Sequence, residues 1–233
     1  MKDTVYTFWE GKMPEYLKLC LDTWKFPFVI LNYDNLSQYT DKIPEKVKQL
    51  TLQKIADYVR VHVLRDNGGY WLDTDTILLG DNLPSETILG EDESRINTIG
   101  FLHTEKNSNM FVNWAKFQDI VLKDIPEMKN GDITNWDILG NAFTNEYLLK
   151  NPSIKIGSIW ESWPEVNMIS EDIPRDLKYR KLYFESDRAI SEFSETSMLM
   201  LHNSWTPSWY KELSRDEVLN RHCTLSNILK ASI

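Results

Sequence analysis

Two aspartates separated by one residue, Asp73 and Asp75, are the first candidates for chemistry. They end a short apolar segment, residues 70–73, that is predicted to be a strand, so their carboxylates can point the same way. Two hard oxygen ligands with an otherwise open coordination shell suit Mg²⁺ or Mn²⁺ shared with a diphosphate. Such a cation neutralises the charge of a departing nucleoside diphosphate without proton transfer. Acidic pairs are common by chance, so the pair needs support from its surroundings.

A cation and an anion precede this pair. Asp57 and Arg60 are three residues apart on a predicted amphipathic helix of about residues 52–66, so their side chains form one patch. Gly68 and Gly69 are predicted to end the helix, because glycine tolerates a left-handed cap. Arginine suits bidentate capture of phosphate or sugar hydroxyls. The alternative is a surface ion pair that contributes roughly a few tenths of a kcal/mol.

The elements that position these residues alternate in type along the chain. Apolar and β-branched runs predict strands, and apolar residues at helical spacing predict helices. Strands are predicted at 4–9, 28–31, 70–73, 77–79, 88–89, 98–102, 154–160 and 198–202, and helices from Pro14, from Pro44 and at 52–66, 109–123, 137–150 and 207–229. The alternation predicts an α/β domain with a mainly parallel sheet flanked by helices, whose ligands bind beyond the carboxyl ends of the strands.

Composition excludes several classes of protein. The 233 residues are 42% hydrophobic and 26% charged, as in one folded domain rather than a disordered chain. A net charge of −9 argues against binding to nucleic acid or anionic lipid. No apolar run reaches the roughly 18 residues that cross a bilayer, and the start shows no apolar signal core. Cys20 and Cys223 form no disulfide framework, so we expect a cytoplasmic protein.

The segment from Asp57 to Asp75 also carries a family resemblance. It resembles the sugar-binding region of a glycosyltransferase group that includes bacterial capsular polysaccharide transferases, the yeast initiating mannosyltransferases and, more distantly, the large clostridial glucosylating toxins. The residues at the matching spacing are Asp57, Arg60, Leu64, Gly68, Gly69, Trp71, Asp73 and Asp75. Two weaker blocks stand in the expected order: residues 6–14 with Cys20 and Trp24 resemble the opening block, and residues 201–205 resemble the closing His…Ser-Trp block.

The resemblance implies a GT-A-type, Rossmann-like fold and roles for the donor-binding residues. Phe8 and Trp9 would lie at the end of the first strand against the nucleotide base. Asp57 and Arg60 would hold the donor sugar and its phosphate. The family usually has tyrosine where this chain has Trp71, so the donor preference is expected to depend on this position.

The same resemblance implies a metal site. Asp75 would ligate the metal directly, and Asp73 would face both the metal and the ribose or sugar. His202 would be a third metal ligand, and Ser204 and Trp205 would reach the diphosphate. Imidazole suits Mn²⁺ better than Mg²⁺, so a His202 ligand would favour manganese. The alternative for His202 is a packed histidine at a strand end.

Asp137 completes the set of catalytic candidates, together with Asp73, Asp75 and Arg60. It is the candidate for contact with the acceptor or the reacting sugar, in a region where relatives often have Gly-Pro and this chain has Gly140-Asn141. The alternative is a carboxylate that complements the dipole of a helix N-terminus.

The sequence therefore predicts a metal-dependent, retaining hexosyltransferase with Mn²⁺ or Mg²⁺ as cofactor. Its partners would be a nucleotide sugar, with a UDP-hexose favoured, and a glycan or lipid-linked oligosaccharide acceptor in capsular or surface polysaccharide synthesis, with peripheral contact at the inner membrane face. About residues 1–105 would bind the donor, and about 106–233 the acceptor, within one domain.

Two other functions compete with this prediction. In a phosphohydrolase of the haloacid-dehalogenase type, Asp73 would be the nucleophile and Asp75 the acid/base, with Gly131-Asp132 and Asp137 as the second acidic group. That hypothesis leaves the Asp57, Arg60 and Gly68-Gly69 context unexplained. A non-catalytic sugar-binding module would use the aromatic residues but has no need for a pair of diphosphate-coordinating carboxylates.

Overall fold

The computed structural model describes residues 4–41, 43–91, 97–124, 137–194 and 196–233. The chain divides into two compact units, each assembled from several segments. The first comprises the chain up to Glu10 with Phe26–Leu72 and Ser85–Gly157, and the second comprises Gly11–Lys25, Asp73–Pro84 and Ser158–Ile233. The predicted division into a donor-binding and an acceptor-binding half stays a prediction, because compactness says nothing about ligands.

A six-stranded sheet forms the centre of the first unit. Its strands are β1 (Val5–Phe8), β2 (Phe28–Leu31), β3 (Gly69–Leu72), β5 (Ile88–Gly90), β6 (Asn97–Thr104) and β7 (Ile156–Ser158), in the order β2-β1-β3-β6-β5-β7. β1 runs parallel to β2 and β3, whereas β6 runs antiparallel to both β3 and β5. β1, β2, β3 and β5 therefore point the same way, which confirms the predicted α/β class with a mainly parallel sheet.

Four helices flank this sheet: α2 (Glu45–Lys48), α3 (Leu52–Asn67), α4 (Asn109–Asp124) and α5 (Asn141–Lys150). α3 packs against α4 and against the sheet. It ends where predicted, at Gly68 (φ +71°) and Gly69 (φ +93°), which are left-handed positions that favour glycine. A Cβ at Gly69 would also lie 2.5 Å from the carbonyl oxygen of Thr4. The two glycines let β3 begin directly after α3 and pair beside β1.

A two-stranded antiparallel ribbon organises the second unit. β4 (Thr76–Leu78) pairs with β8 (Met198–Met200), although the two strands are far apart in the sequence. The helices of this unit are α1 (Glu15–Asp22), α6 (Glu165–Met168), α7 (Arg175–Arg180), α8 (Ser208–Lys211), α9 (Arg215–Asn220) and α10 (Thr224–Ser232). No helix among the described residues is long and apolar enough to cross a membrane.

Three predicted elements differ from the structure. The single helix expected over residues 207–229 is three helices, because a capping box of Ser214 and Glu217 starts α9 as a separate helix. The helix predicted from residue 137 begins at Asn141, after a turn. The strand predicted at 154–160 is shortened to β7, and residues 160–162 form a turn of 3₁₀-helix.

α3 carries a buried histidine. His62 is 5% exposed, and its ring stacks on Tyr58 with 3.9 Å between the ring centroids. Its Nε2 is buried without a hydrogen-bond partner among the described residues. Burial, with the nearby Arg65 cation, lowers the pKa of His62 from 6.5 to about 3. The unfolded chain therefore binds a proton at this residue at a pH where the folded chain does not.

We expect His62 to make folding stability fall with decreasing pH. As the pH falls from the unfolded pKa of 6.5 towards the folded pKa of about 3, the contribution of His62 to the free energy of unfolding decreases. The decrease is at most about 1.4 kcal/mol per pH unit. Urea unfolding of the wild type and of His62→Gln at about pH 7.5 and about pH 5 measures this slope. The variant should show a flatter dependence. A matched variant of an exposed histidine, His222→Gln, should keep the wild-type slope, and equal slopes for all three proteins would contradict the assignment.

Candidate active site

Asp57 and Arg60 form a buried ion pair in the first unit. Arg60 Nη2 lies 2.9 Å from Asp57 Oδ1, and the two residues are 7% and 4% exposed, in the order Asp57 and Arg60. The interpretation as an exposed surface pair is therefore wrong. The helical stripe did not reveal this burial, because α3 packs on more than its apolar face and Lys54 and His62 are buried as well. A buried ion pair needs further hydrogen bonds to offset the loss of hydration.

Arg60 finds such partners on several sides. Its guanidinium donates to the carbonyl oxygen of Ile99 in β6, and its Nε donates to the carbonyl oxygen of Ala56 at 3.3 Å. Its Cζ lies 5.0 Å from the ring centroid of Trp71 in β3. Trp71 is 1% exposed, so its indole supports Arg60 from inside the sheet. Its predicted influence on the donor would therefore act through Arg60.

The carboxylate of Asp57 lies against the start of α5. A Cβ at Gly140 would be 3.5 Å from Asp57 Oδ2, an ordinary contact, and 2.5 Å from Ile99 Cδ1, so the end of the Ile99 side chain would have to shift. Gln118 Nε2 donates to the carbonyl oxygens of Asp57 (2.8 Å) and Leu139 (2.6 Å). Gly140 thus packs closely on Ile99 and lies in contact with the Asp57 carboxylate.

Asp137 lies in the turn that precedes α5. Its carbonyl oxygen accepts from the backbone N–H groups of Gly140 (2.8 Å) and Ala142 (3.2 Å). α5 begins at Asn141, and because Asp137 accepts from Ala142 in its first turn, contact with the acceptor and complementation of the helix dipole both stay predictions. The adjoining residues 135 and 136, and Gly131-Asp132 of the phosphohydrolase hypothesis, lie outside the described residues.

The two predicted base-binding aromatics lie at the end of β1. Phe8 is its last residue, and its buried ring makes an edge contact with Tyr33, with 6.0 Å between the centroids. Trp9 comes next, and its backbone N–H donates to the carbonyl oxygen of Leu31 at 3.0 Å. Trp9 Nε1 is buried without a hydrogen-bond partner in the described part of the chain. An indole donor in this condition is one that a ligand oxygen could satisfy.

Asp73 and Asp75 lie in the turn between β3 and β4, not on a strand. The turn is closed by the Thr76 N–H, which donates to the Asp73 carbonyl oxygen at 3.0 Å. The strand alternation from which we expected parallel carboxylates therefore does not apply here. Both residues are partly exposed. A turn just before the short ribbon β4–β8 is what presents them.

Asp75 is fixed by the closing sequence block. Its carbonyl oxygen accepts from Leu201 N–H at 3.0 Å, and its carboxylate Oδ2 accepts from Asn203 N–H at 2.7 Å. Tyr16 in turn donates its hydroxyl to Asn203 Oδ1 at 2.5 Å. Burial, reinforced by the Asp75 charge, raises the pKa of Tyr16, so its hydroxyl stays protonated. The second unit thus joins the Asp-x-Asp segment to the His-Asn-Ser-Trp segment.

His202 has a partner that the sequence did not indicate. Arg175 Nη2 lies 2.7 Å from His202 Nε2, and arginine can only donate. Burial and the Arg175 charge lower the pKa of His202 to about 3, so the ring is neutral. Metal binding through Nε2 would require Arg175 to move away. The role of His202 as a third metal ligand stays a prediction.

The remaining predicted residues lie in the turn after His202. The carbonyl oxygen of His202 accepts from the N–H groups of Trp205 (2.9 Å) and Thr206 (3.0 Å). Ser204 is exposed at the tip of this turn, and the Trp205 ring packs beside His202, with 4.0 Å between centroids. Sequence reasoning missed Tyr16, Glu165 and Arg175, since each stands outside the three blocks. The described residues contain no cluster of three or more His, Cys, Asp or Glu side chains that could hold a metal ion.

Comparisons with known proteins address the family. A family model described as "Capsular polysaccharide synthesis protein" matches residues 1–151. The chain belongs to this family. Comparison with curated proteins gives no match. A solved structure titled "PaToxG Glycosyltransferase" is 14% identical, with a TM-score of 0.45 over 66% of this chain and 71% of that chain. This likeness is too distant to assign a role to any residue.

Membership in the capsular polysaccharide synthesis family confirms the glycosyltransferase family that the sequence blocks indicated, and with it the prediction of an enzyme. A non-catalytic sugar-binding module is thereby excluded. The matched region contains the first two blocks and Asp137. The closing block lies beyond it, although Asn203 binds Asp75 directly. A glycosyltransferase of this family takes a sugar donor and an acceptor.

Removing Arg60 should destabilise the protein strongly. Arg60→Ala leaves the Asp57 carboxylate buried and uncompensated, and breaking such a pair costs about 3–5 kcal/mol. Urea unfolding measures this loss. The double variant Asp57→Asn, Arg60→Met removes both charges and should recover a large part of it. A loss below about 1 kcal/mol for Arg60→Ala would show that the pair is solvated as in a surface ion pair.

Proposed function

We propose that this capsular polysaccharide synthesis protein is a metal-dependent, retaining glycosyltransferase that moves a hexose from a UDP-sugar to a glycan hydroxyl. One observation carries the proposal: Asp75 of the Asp-x-Asp segment is hydrogen bonded to Asn203 of the closing block. The Asp-x-Asp segment and the closing block, which would both bind the donor diphosphate, are thus in direct contact within the second unit. The phosphohydrolase alternative uses the same Asp73 and Asp75, but its second acidic group would lie in residues 131–137 and not in the closing block, and it leaves the Asp57, Arg60 and Gly68-Gly69 context unexplained.

The side-chain oxygens in the turn of Asp73 and Asp75 suit a hard divalent cation. Asp73 and Asp75 supply carboxylate oxygens, which Mg²⁺ and Mn²⁺ accept, and both side chains are partly exposed. The bound cation would neutralise negative charge on the leaving diphosphate. The Asn203 N–H bond holds one oxygen of Asp75 in place, so the carboxylate is oriented before any ligand arrives.

The retaining assignment comes from the family resemblance and the side chains available. A front-face displacement needs stabilisation of the leaving group and correct positioning more than a strong base. Ser204, at the exposed tip of its turn, would donate to the diphosphate, and the Trp205 ring would pack against it. Asp137 is proposed to meet the acceptor or the reacting sugar.

The acceptor is proposed from the family. Capsular polysaccharide synthesis requires a growing glycan, which we propose is lipid-linked and is reached by peripheral contact at the cytoplasmic membrane face. The net charge of −9 gives no general attraction to anionic lipid, so recognition would rest on the glycan itself.

Neutralising either carboxylate should abolish metal-dependent turnover. Asp73→Asn and Asp75→Asn keep the size of the side chain but remove a charged ligand. We expect UDP-sugar hydrolysis or transfer with Mn²⁺ to fall by about 100-fold or more, because leaving-group stabilisation supplies much of the rate. The measurement is release of the nucleoside phosphate from a panel of UDP-sugars and other nucleotide sugars with Mn²⁺, with Mg²⁺ and with EDTA.

The matched control is Asp81→Asn. Asp81 is an exposed aspartate of the same unit that pairs with Lys25 at 2.8 Å, and its loss should leave turnover unchanged. Thermal unfolding shows whether each variant is folded. Full activity in EDTA would contradict the metal role, and turnover of no UDP-sugar alongside turnover of another nucleotide sugar would contradict the choice of donor.

A further inference from the structure

Glu165, in α6 of the second unit, forms an ion pair with Arg175 of α7 in which two guanidinium nitrogens donate to one carboxylate oxygen. Glu165 Oε1 accepts from Arg175 Nε at 3.0 Å and from Nη2 at 2.9 Å. The Glu165 side chain is 1% exposed, and its Oε2 has no partner among the described residues. A carboxylate buried in this way requires its cation, so Arg175 cannot leave without a large loss. Glu165 thereby fixes the guanidinium in one orientation.

The guanidinium uses that orientation to bind His202. Its Nη2 donates to His202 Nε2 at 2.7 Å. Because arginine offers no acceptor and keeps its protons, Nε2 must be the unprotonated nitrogen, and the ring proton must be on Nδ1. One tautomer of His202 is thus selected, in the way that an outer hydrogen bond selects the tautomer of a metal-bound histidine.

Aromatic faces complete the arrangement. Arg175 Cζ lies 3.5 Å from the ring centroid of Trp163 and 5.4 Å from that of Trp205. His202 and Trp205 are in ring contact at 4.0 Å. The Tyr179 hydroxyl is 3.0 Å from Thr206 Oγ1, at the other end of the same turn. The guanidinium therefore contacts two indoles, and one of them, Trp205, belongs to the turn of residues 202–206 that carries Ser204.

We propose that Arg175, held by Glu165, is a positioning residue for the donor diphosphate: it fixes His202 and Trp205 and thereby the turn that presents Ser204. This inference rests on the proposed function, since it assigns a purpose to the turn that would bind the diphosphate. It also gives His202 a role as the acceptor for Arg175 in place of a metal ligand. The two roles exclude each other at Nε2, which has one lone pair.

Two variants test the proposal. Arg175→Lys keeps a cation beside Glu165 but loses the planar fork that both binds His202 and stacks on Trp163. Glu165→Gln combined with Arg175→Met removes both charges, so it leaves no buried unpaired ion and keeps the test available if the lysine variant does not fold. The matched control is Arg180→Lys, an exposed arginine on the same helix.

The first readout is the ¹⁵N spectrum of the histidine side chains, which number four in the chain. The His202 signals are assigned by their loss in His202→Gln. In the wild type and in Arg180→Lys we expect a single Nδ1-protonated tautomer without added metal. In both Arg175 variants we expect a mixture of tautomers, because Nε2 has lost its donor. This readout is independent of activity.

The second readout is the Kd for UDP with Mn²⁺, from calorimetry. We expect the Kd to increase by about tenfold in both Arg175 variants, the size expected when one hydrogen bond to a charged phosphate is lost, and to stay unchanged in Arg180→Lys. An unchanged His202 tautomer, or unchanged UDP binding in folded Arg175 variants, would overturn the inference. So would a loss of Mn²⁺ affinity in His202→Gln that Arg175→Lys does not share. A wild type that binds no nucleoside diphosphate would instead overturn the proposed function.

Discussion

The backbone pairing of β4 with β8 is the constraint on which the second unit's candidate site depends. It joins residues more than a hundred positions apart, and it places Leu201 and Asn203 so that both donate to Asp75. The bond to the carboxylate is charge-assisted, so it is stronger and more directional than a neutral hydrogen bond. The turn that carries Asp73 and Asp75 is short and partly exposed, and this bond orients the Asp75 carboxylate within it.

The two units contain the same kind of charged centre. In each, a buried carboxylate binds an arginine whose guanidinium lies over a tryptophan: Asp57, Arg60 and Trp71 in the first, and Glu165, Arg175 and Trp163 in the second. Buried ion pairs are poor sources of stability, because the loss of hydration cancels most of the attraction. What such a pair does provide is a guanidinium of fixed orientation. In the proposed function, the guanidinium of the second centre would place the turn that binds the diphosphate.

Local sequence predicts well where a local physical rule decides the structure. α3 and its glycine cap, the strand after it and the α/β alternation all come from short-range patterns. The burial of Asp57, Arg60 and His62 does not, because the apolar stripe of α3 marks one buried face whereas α4 and the sheet cover others as well. The Glu165–Arg175–His202 chain was unpredictable for a different reason. Its members come from three separate segments, and only the fold makes them neighbours.

The family match ends at residue 151, yet the chemistry proposed for the matched part depends on residues beyond that point. Asp75 lies inside the match, but its carboxylate is bound by Asn203, outside it, and β4 has its only pairing partner among the described residues in β8. A variant that disturbed the closing turn would therefore change the orientation of Asp75 without touching the spacing of Asp73 and Asp75. The Arg175 centre acts on this same turn through His202 and Trp205. The orientation of the Asp-x-Asp carboxylate thus depends on residues that the motif does not contain.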